Sequence, residues 1–203
     1  MIRNIIPVKC TQTDCLHFTK CCTVSSETAT LGDSFPSVAF IGQGAGEDEE
    51  KTQRPFIGKA GKFLRATINY LWESGIKFNV MLTNTVRCRP LDQYGKNRDP
   101  LPEEINICIK HAITDIDSFK PKAIVLLGNS TCFNLTGTTQ GISKIRGTQM
   151  TFHSIYAIPT YHPSYLCRAY NEFSSSLLDQ PKVHEFINDI KLAVNLATQT
   201  TLF

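Results

Sequence analysis

The chain predicts an α/β fold, a parallel sheet covered by helices on both faces. Four short segments rich in Val, Ile, Leu or Tyr, each ending at Gly, Asn or a turn, read as buried strands: 37–44, 79–86, 123–129 and 154–161. Helical periodicity lies between or after them. The chain has 203 residues, of which 41% are hydrophobic, enough for one core of ordinary size.

The elements follow in order. The strand SVAFIGQG (37–44) leads into a glycine-rich turn. In 59–74, Leu64, Ile68, Leu71 and Trp72 share a helical face. The strand NVMLTNTV (79–86) follows, then a polar loop, LDQYGKNRDP (91–100). In 102–119, Ile105, Ile109, Ala112, Ile113 and Ile116 form an apolar stripe. Pro102 opens that helix, and Glu103 and Glu104 occupy the first turn, where the helix dipole favours acids. The strands AIVLLGN (123–129) and SIYAIPTY (154–161) follow. The last helix, about 182–197, carries Val183, Phe186, Ile187, Ile190 and Val194 as its stripe. One domain over 1–197 and a projecting tail over 198–203 account for the chain, with no internal repeat.

Composition excludes several classes. Wholesale disorder does not fit this apolar content. No run approaches the roughly 20 apolar residues of a membrane span. The start, MIRNIIPVKCTQTDC, has no long apolar core, so a cytoplasmic protein without a secretory signal is expected. Lys and Arg total 21 against 18 Asp and Glu, a net charge of +3 that permits a nucleic-acid partner without requiring one.

Eight cysteines stand at 10, 15, 21, 22, 88, 108, 132 and 167. In a reducing compartment a disulfide framework is a poor explanation. Clustered thiols there bind metal, whereas isolated ones are small core residues. Cys132 and Cys167 read as structural.

In a parallel sheet, ligands bind beyond the carboxyl ends of the strands. The informative residues therefore lie in 42–50, 83–88, 128–131 and 161–168. Three glycines in GQGAG (42–46) let backbone approach a ligand closely. The spacing is not that of a dinucleotide loop, and the acidic run EDEE after it would repel phosphate. Phe56, in RPFIGKAG, could stack on a planar ligand. Asn84 offers a donor and an acceptor, matching a pyrimidine edge with a carbonyl beside an N–H. His162 follows the fourth strand, before Pro163. Each has a plain structural explanation too: a core plug, a turn former and a satisfied histidine.

Taken together and in this order, GQGAGEDEEKTQRPFIGKAGKFL, TNTVRCRP…NRDPLPEEINIC and IPTYHPSYLCR resemble the iron–sulfur (family 4) uracil-DNA glycosylases, over roughly residues 10–190. The resemblance implies a three-layer α/β/α fold around a four-stranded parallel sheet, a [4Fe–4S] cluster, and hydrolysis of the N-glycosidic bond of deoxyuridine in DNA at the start of base excision repair. It implies cluster ligands at Cys88 and Cys108 and an N-terminal pair, here Cys10 and Cys15 with Cys21 in reserve. Zinc is the competing occupant of four thiols.

By the same resemblance Phe56 stacks on the extruded uracil, Gly42 and Gly44 line the site, and Asn84 reads the base edge. His162 donates to the leaving base, Leu166 enters the vacated stack, and Arg168 and Arg87 contact phosphates. One departure matters. The family has Glu after the first Gly of the first loop, and here that position is Gln43, with Ala45 in place of Pro. Gln43 cannot act as a general base but can position water, and Glu47 remains nearby as a carboxylate. Covalent crosslinking to DNA is disfavoured because the 91–100 loop has no His.

The terminal Gln199-Thr200-Thr201-Leu202-Phe203 looks like the pentapeptide by which bacterial proteins dock on the DNA sliding clamp, a polar anchor followed by two apolar side chains. A monomer is expected. Two other readings remain open: a non-catalytic glycosylase-fold DNA-binding or replication-associated protein, and a glycosylase for another modified base.

Overall fold

A computed structural model of the chain describes residues 3–5, 15 and 24–199. The four predicted strands are present as β3 (Ser37–Gly44), β4 (Asn79–Val86), β5 (Ala123–Leu127) and β7 (Ile155–Thr160). They pair in parallel in the order β4-β3-β5-β7. Three short antiparallel strands extend the edges. β2 (Glu27–Ala29) pairs with β4, β1 (Arg3–Ile5) pairs with β2, and β6 (Met150–Phe152) pairs with β7. Among the described residues the sheet thus has seven strands, of which the sequence predicts the four parallel ones. The added strands are three residues each, too short to establish a period.

Alternation along the strands sorts the core into two layers. Val38, Phe40, Val80, Leu82, Val125 and Ile158 point to one face, with Phe63, Leu64, Ile68 and Leu71 of α2 (Lys59–Glu73) and Val183, Phe186 and Ile190 of α7 (Pro181–Thr198). Ala39, Ile41, Met81, Ile124, Leu126 and Ala157 point to the other, with Ile116 of α3 (Pro102–Phe119) and Cys132 and Leu135 of α4 (Asn129–Thr136). Because side chains alternate with period two, continuous apolar strands require cover on both sides. The result is the α/β/α sandwich.

The predicted helices match α2, α3 and α7 to within two residues at either end. Pro102 opens α3, and Glu104 turns back to accept from the Leu101 N–H at 2.8 Å. Four further helices were not anticipated: α1 (Glu47–Thr52), α4, α5 (Ile142–Ile145) and α6 (Pro163–Tyr170). α1 is EDEEKT throughout and has no apolar stripe to betray it. No described helix is long and apolar enough to cross a membrane.

Candidate active site

The carboxyl ends of β3, β4 and β7 open into one cavity of about 430 Å³. Gln43, Phe56, Asn84 and His162 all line it, with Glu47 and Glu49 from α1. Residues separated by more than a hundred positions in sequence therefore share one space.

Register builds the floor. Gly42 of β3 pairs across the sheet with Asn84 of β4. A Cβ added at Gly42 would lie 2.5 Å from Asn84 Oδ1 and 2.7 Å from Phe56 Cζ. The amide and the ring both close over a bare Cα, and only glycine leaves them room. Asn84 is 6% exposed, and its amide makes no hydrogen bond to any described residue. The side chain lines the cavity, so its donor and acceptor face space that water or a ligand fills.

The Phe56 ring is held by its own backbone. Phe56 sits at φ +52°, in the left-handed region, where a bulky residue persists only under restraint. Arg65 of α2 supplies that restraint, donating Nε to Phe56 O at 2.7 Å and Nη2 to Pro55 O at 2.8 Å. Arg65 and Arg54 both ion-pair with the buried Glu27 of β2, which fixes the loop to that strand. Gly61 packs directly under the Phe56 backbone, where a Cβ would fall 1.9 Å from its carbonyl carbon. On the other side, Glu49 Oε1 accepts from the Ile57 and Gly58 N–H groups at 2.9 and 2.8 Å, satisfying the N-cap amide of α2 and the one before it.

His162 is the N-cap of α6, and its Nδ1 accepts from Ser164 N at 3.2 Å. That bond leaves the proton on Nε2. Burial, with the positive charge of Arg168 nearby, pushes its pKa down to about 4. The ring is therefore a neutral donor near pH 7. Gly128 at φ +89° lets it close in, the position of its absent Cβ lying 3.0 Å from His162 Cβ.

The polar residues at the cavity mouth divide differently from expectation. Glu47 is exposed and ion-paired with Lys51 and Arg89. The hydrogen bond from Lys51, then its charge and that of Arg89, hold the Glu47 carboxyl below the usual range. Gln43 donates Nε2 to Asp99 Oδ1 at 3.1 Å, which leaves its carbonyl as a free acceptor beside the cavity. Gly44 lines it, with ordinary contacts only, none closer than 3.7 Å to the position of a Cβ, whereas Gly42 is not a lining residue and lies against Asn84 and Phe56 instead. Asp99, Glu49, Arg65 and Gly61 were all missed in the sequence. Only Gly61, a glycine inside a helical pattern, left a local signal.

Two expected DNA contacts are overturned. Leu166 is fully buried, because α6 turns Pro163, Leu166 and Cys167 inward together. It packs in the core and cannot act as a wedge. Arg87 is 2% exposed and ion-paired with Asp115, so it does not reach a phosphate. Arg168 is exposed at the end of α6, its guanidinium 5.9 Å from the Tyr165 ring centroid.

Cys88 and Cys108 are both 7% exposed. The N–H of Arg87, next to Cys88, donates to Cys108 Sγ at 3.2 Å, so the two thiols are neighbours. The Arg87 guanidinium is buried against α3, where Nη2 donates to Asp115 and His111 O, and its Nε and Nη1 have no hydrogen-bond partner among the described residues. Two thiols with orphaned cationic donors fit a negatively charged, thiolate-held group rich in acceptor sulfurs. Cys15 is half-buried, whereas Cys10 and Cys21 lie outside the described residues. Among the described residues no three His, Cys, Asp or Glu side chains gather as a metal site. Cys132 is fully buried, its thiol pushed up to about 12 by desolvation, and Cys167 is shifted upward by the same cause.

A clamped aromatic ring, an amide with no described partner and a neutral imidazole line one cavity at the carboxyl edge of the parallel sheet of this α/β/α protein, a space that can receive a small, flat, polar ring. The chain belongs to the uracil DNA glycosylase superfamily, whose sequence profile matches residues 29–191. It is 40% identical over 134 residues to the type-4 uracil-DNA glycosylase of Thermotoga maritima, covering 64% of this chain and 66% of that one. The type-4 uracil-DNA glycosylase of Saccharolobus solfataricus is 36% identical over 141 residues, covering 66% and 63%. That of Archaeoglobus fulgidus is 30% identical over 175 residues, covering 81% and 80%. The chain spans a little under two thirds of the length of the first two.

Proposed function

We propose that this chain excises uracil from DNA by hydrolysing the N-glycosidic bond of deoxyuridine. The observation that carries this reading is the Asn84 amide, buried at the cavity floor with no described partner and roofed by Phe56. The target base is unreachable inside a duplex and must rotate out into the cavity. Phe56 then stacks on it, and Asn84 pairs with a carbonyl and the adjacent N–H. Cytosine presents an amino donor where uracil presents a carbonyl, which leaves a buried polar group mismatched.

As the bond from C1′ to the base nitrogen breaks, its electron pair leaves with the base. His162 Nε2–H stabilises the negative charge developing on the base oxygen, and does so best as a neutral, pre-oriented donor. Water held by the Gln43 side-chain carbonyl adds to C1′, and the proton it sheds ends on the departed uracil anion, directly or through solvent. No strong base is needed when the leaving group departs as a stabilised anion. Glu47, spent on Lys51 and Arg89, tunes the mouth electrostatically.

A [4Fe–4S] cluster held by Cys88, Cys108 and two N-terminal cysteines, Cys10 and Cys15, suits the orphaned donors of Arg87. When bound it supplies a cross-link from the N-terminal segment to β4 and α3. The tail supplies a second contact. α7 ends at Thr198 with Gln199 exposed, while Leu202 and Phe203 lie outside the described residues. Docking of this motif on a bacterial sliding clamp would concentrate a cytoplasmic, nucleoid-associated monomer on replicating DNA. Deleting 199–203 should abolish clamp pull-down and leave excision from short oligonucleotides unchanged.

The deciding experiment is uracil excision by wild type beside Asn84→Ala and His162→Ala. Each variant should lose on the order of 10²-fold or more. No abasic product from wild type would refute the reading and leave a uracil-binding module.

A further inference from the structure

The burial of Leu166 leaves the cavity without the wedge its turn was expected to provide. Tyr165, beside it, is 39% exposed, but its ring is already taken by Arg168, Lys182 and Tyr161. The most exposed large hydrophobic among the described residues is elsewhere. Tyr94 is 76% exposed, and no described ring packs on it.

Tyr94 stands at the tip of a small, rigid hairpin over 91–97. Leu91 and Asn97 bridge antiparallel at its base. The Asp92 carboxylate accepts from both the Tyr94 and the Lys96 N–H at 2.8 Å. Gly95 takes φ +75°, which closes the turn. The base of the hairpin is wired to the cavity wall. Arg98 donates to Leu91 O and ion-pairs with the buried Glu104, and Arg89 donates to Asn97 while meeting Glu47 and Glu50. Pro90, Asn97, Arg98 and Pro100 themselves line the cavity. Tyr94 is three residues from Asn97, so it stands within about 10 Å of the mouth. An aromatic ring held out in water on a fixed platform, with Lys96 two residues away and no ring or cation among the described residues packed on it, is the arrangement that stacks on an unpaired or unstacked base.

We propose that the 91–97 hairpin is a DNA-stacking element, and that the Tyr94 ring inserts against the bases flanking the nucleotide turned into the cavity. This rests on the reading of the cavity as a site for an extruded base. The ring fills the gap in the stack, and Lys96 meets the adjacent phosphate. Pre-organisation by Asp92 and Gly95 lowers the ordering cost of insertion.

The test uses the full chain with its cluster and a duplex carrying an uncleavable tetrahydrofuran abasic-site analogue, with 2-aminopurine as the neighbouring base. Wild type should raise the 2-aminopurine fluorescence on binding. Tyr94→Ala should lose that rise and bind about tenfold more weakly, the scale of one base–aromatic stack. Tyr94→Phe should restore both, with an unchanged melting temperature in each variant. Equal binding and equal fluorescence in wild type and Tyr94→Ala would overturn the inference. Excision is read separately on a uracil duplex: a wild type that excises uracil while Tyr94→Ala matches it in every assay refutes the hairpin alone. A wild type that never excises, yet needs Tyr94 to unstack the analogue, refutes the glycosylase activity and upholds the hairpin.

Discussion

Replacing Gly42 by Ala tests whether the floor of the cavity is set by the absence of one carbon. Ordinary contact for a Cβ begins near 3.4 Å, and the new methyl would fall about 0.9 Å short of that against Asn84 Oδ1 and about 0.7 Å short against Phe56 Cζ. Neither neighbour can simply retreat. Asn84 is on a central strand with its backbone in register, and Phe56 is clamped by Arg65 and Gly61. Overpacking of this kind costs roughly 1–3 kcal/mol of stability. A displacement near 1 Å in the groups that grip the base costs on the order of 10²-fold in rate. Gly44→Ala is the internal comparison, because its Cβ would meet nothing closer than 3.7 Å; it should stay within several-fold of wild type. The assay is single-turnover uracil release from a labelled oligonucleotide, with thermal melts to establish that both variants fold. A folded Gly42→Ala protein with wild-type turnover would refute the claim that ring and amide close over this position.

Three further perturbations follow from the same geometry. His162 titrates near 4 in the folded chain against about 6.5 unfolded, so between those values the unfolded state takes up a proton that the folded state refuses. Stability should therefore fall as pH drops through that window; His162→Gln should flatten this part of the melting-temperature profile, and parallel profiles would contradict the assignment. Gln43→Glu places a second carboxylate against Asp99, and like charges raise the pair's pKa. Its excision rate should climb with pH where wild type is flat, and adding Asp99→Asn should restore the flat profile. Cys108→Ala should lose iron and the brown colour of an iron–sulfur protein, whereas Cys132→Ala should keep both; iron retained by Cys108→Ala would remove it from the ligand set.

The elements with strong periodicity were legible in the chain itself. Strands of five to eight residues with short apolar runs at their centres (VAFI, VML, AIVLL, IYAI) are satisfied as strands covered on both faces, and the stripes of α2, α3 and α7 are buried against them. From that much the carboxyl edge of the sheet, and hence Gly42, Asn84 and His162 as its occupants, could be located before any coordinates. Leu166 shows where such reading stops. Four residues after His162 means exposure in a loop but burial on a helix, and the eight-residue α6 is too short to announce itself. Arg87 was misjudged because an arginine is normally at the surface, and nothing local reveals Asp115 waiting across α3.

Local patterning thus determined which segments are strands and helices, since each must hide its own apolar face. Tertiary structure alone decided which charges find each other and how tightly the walls close. The Gln43–Asp99 bond, the Arg65 clamp on Phe56, the Glu49 cap on α2 and the 2.5 Å approach at Gly42 join residues 9 to 56 positions apart through specific distances and directions. Such contacts depend on the final placement of whole elements, and no periodicity in a one-dimensional chain encodes them legibly.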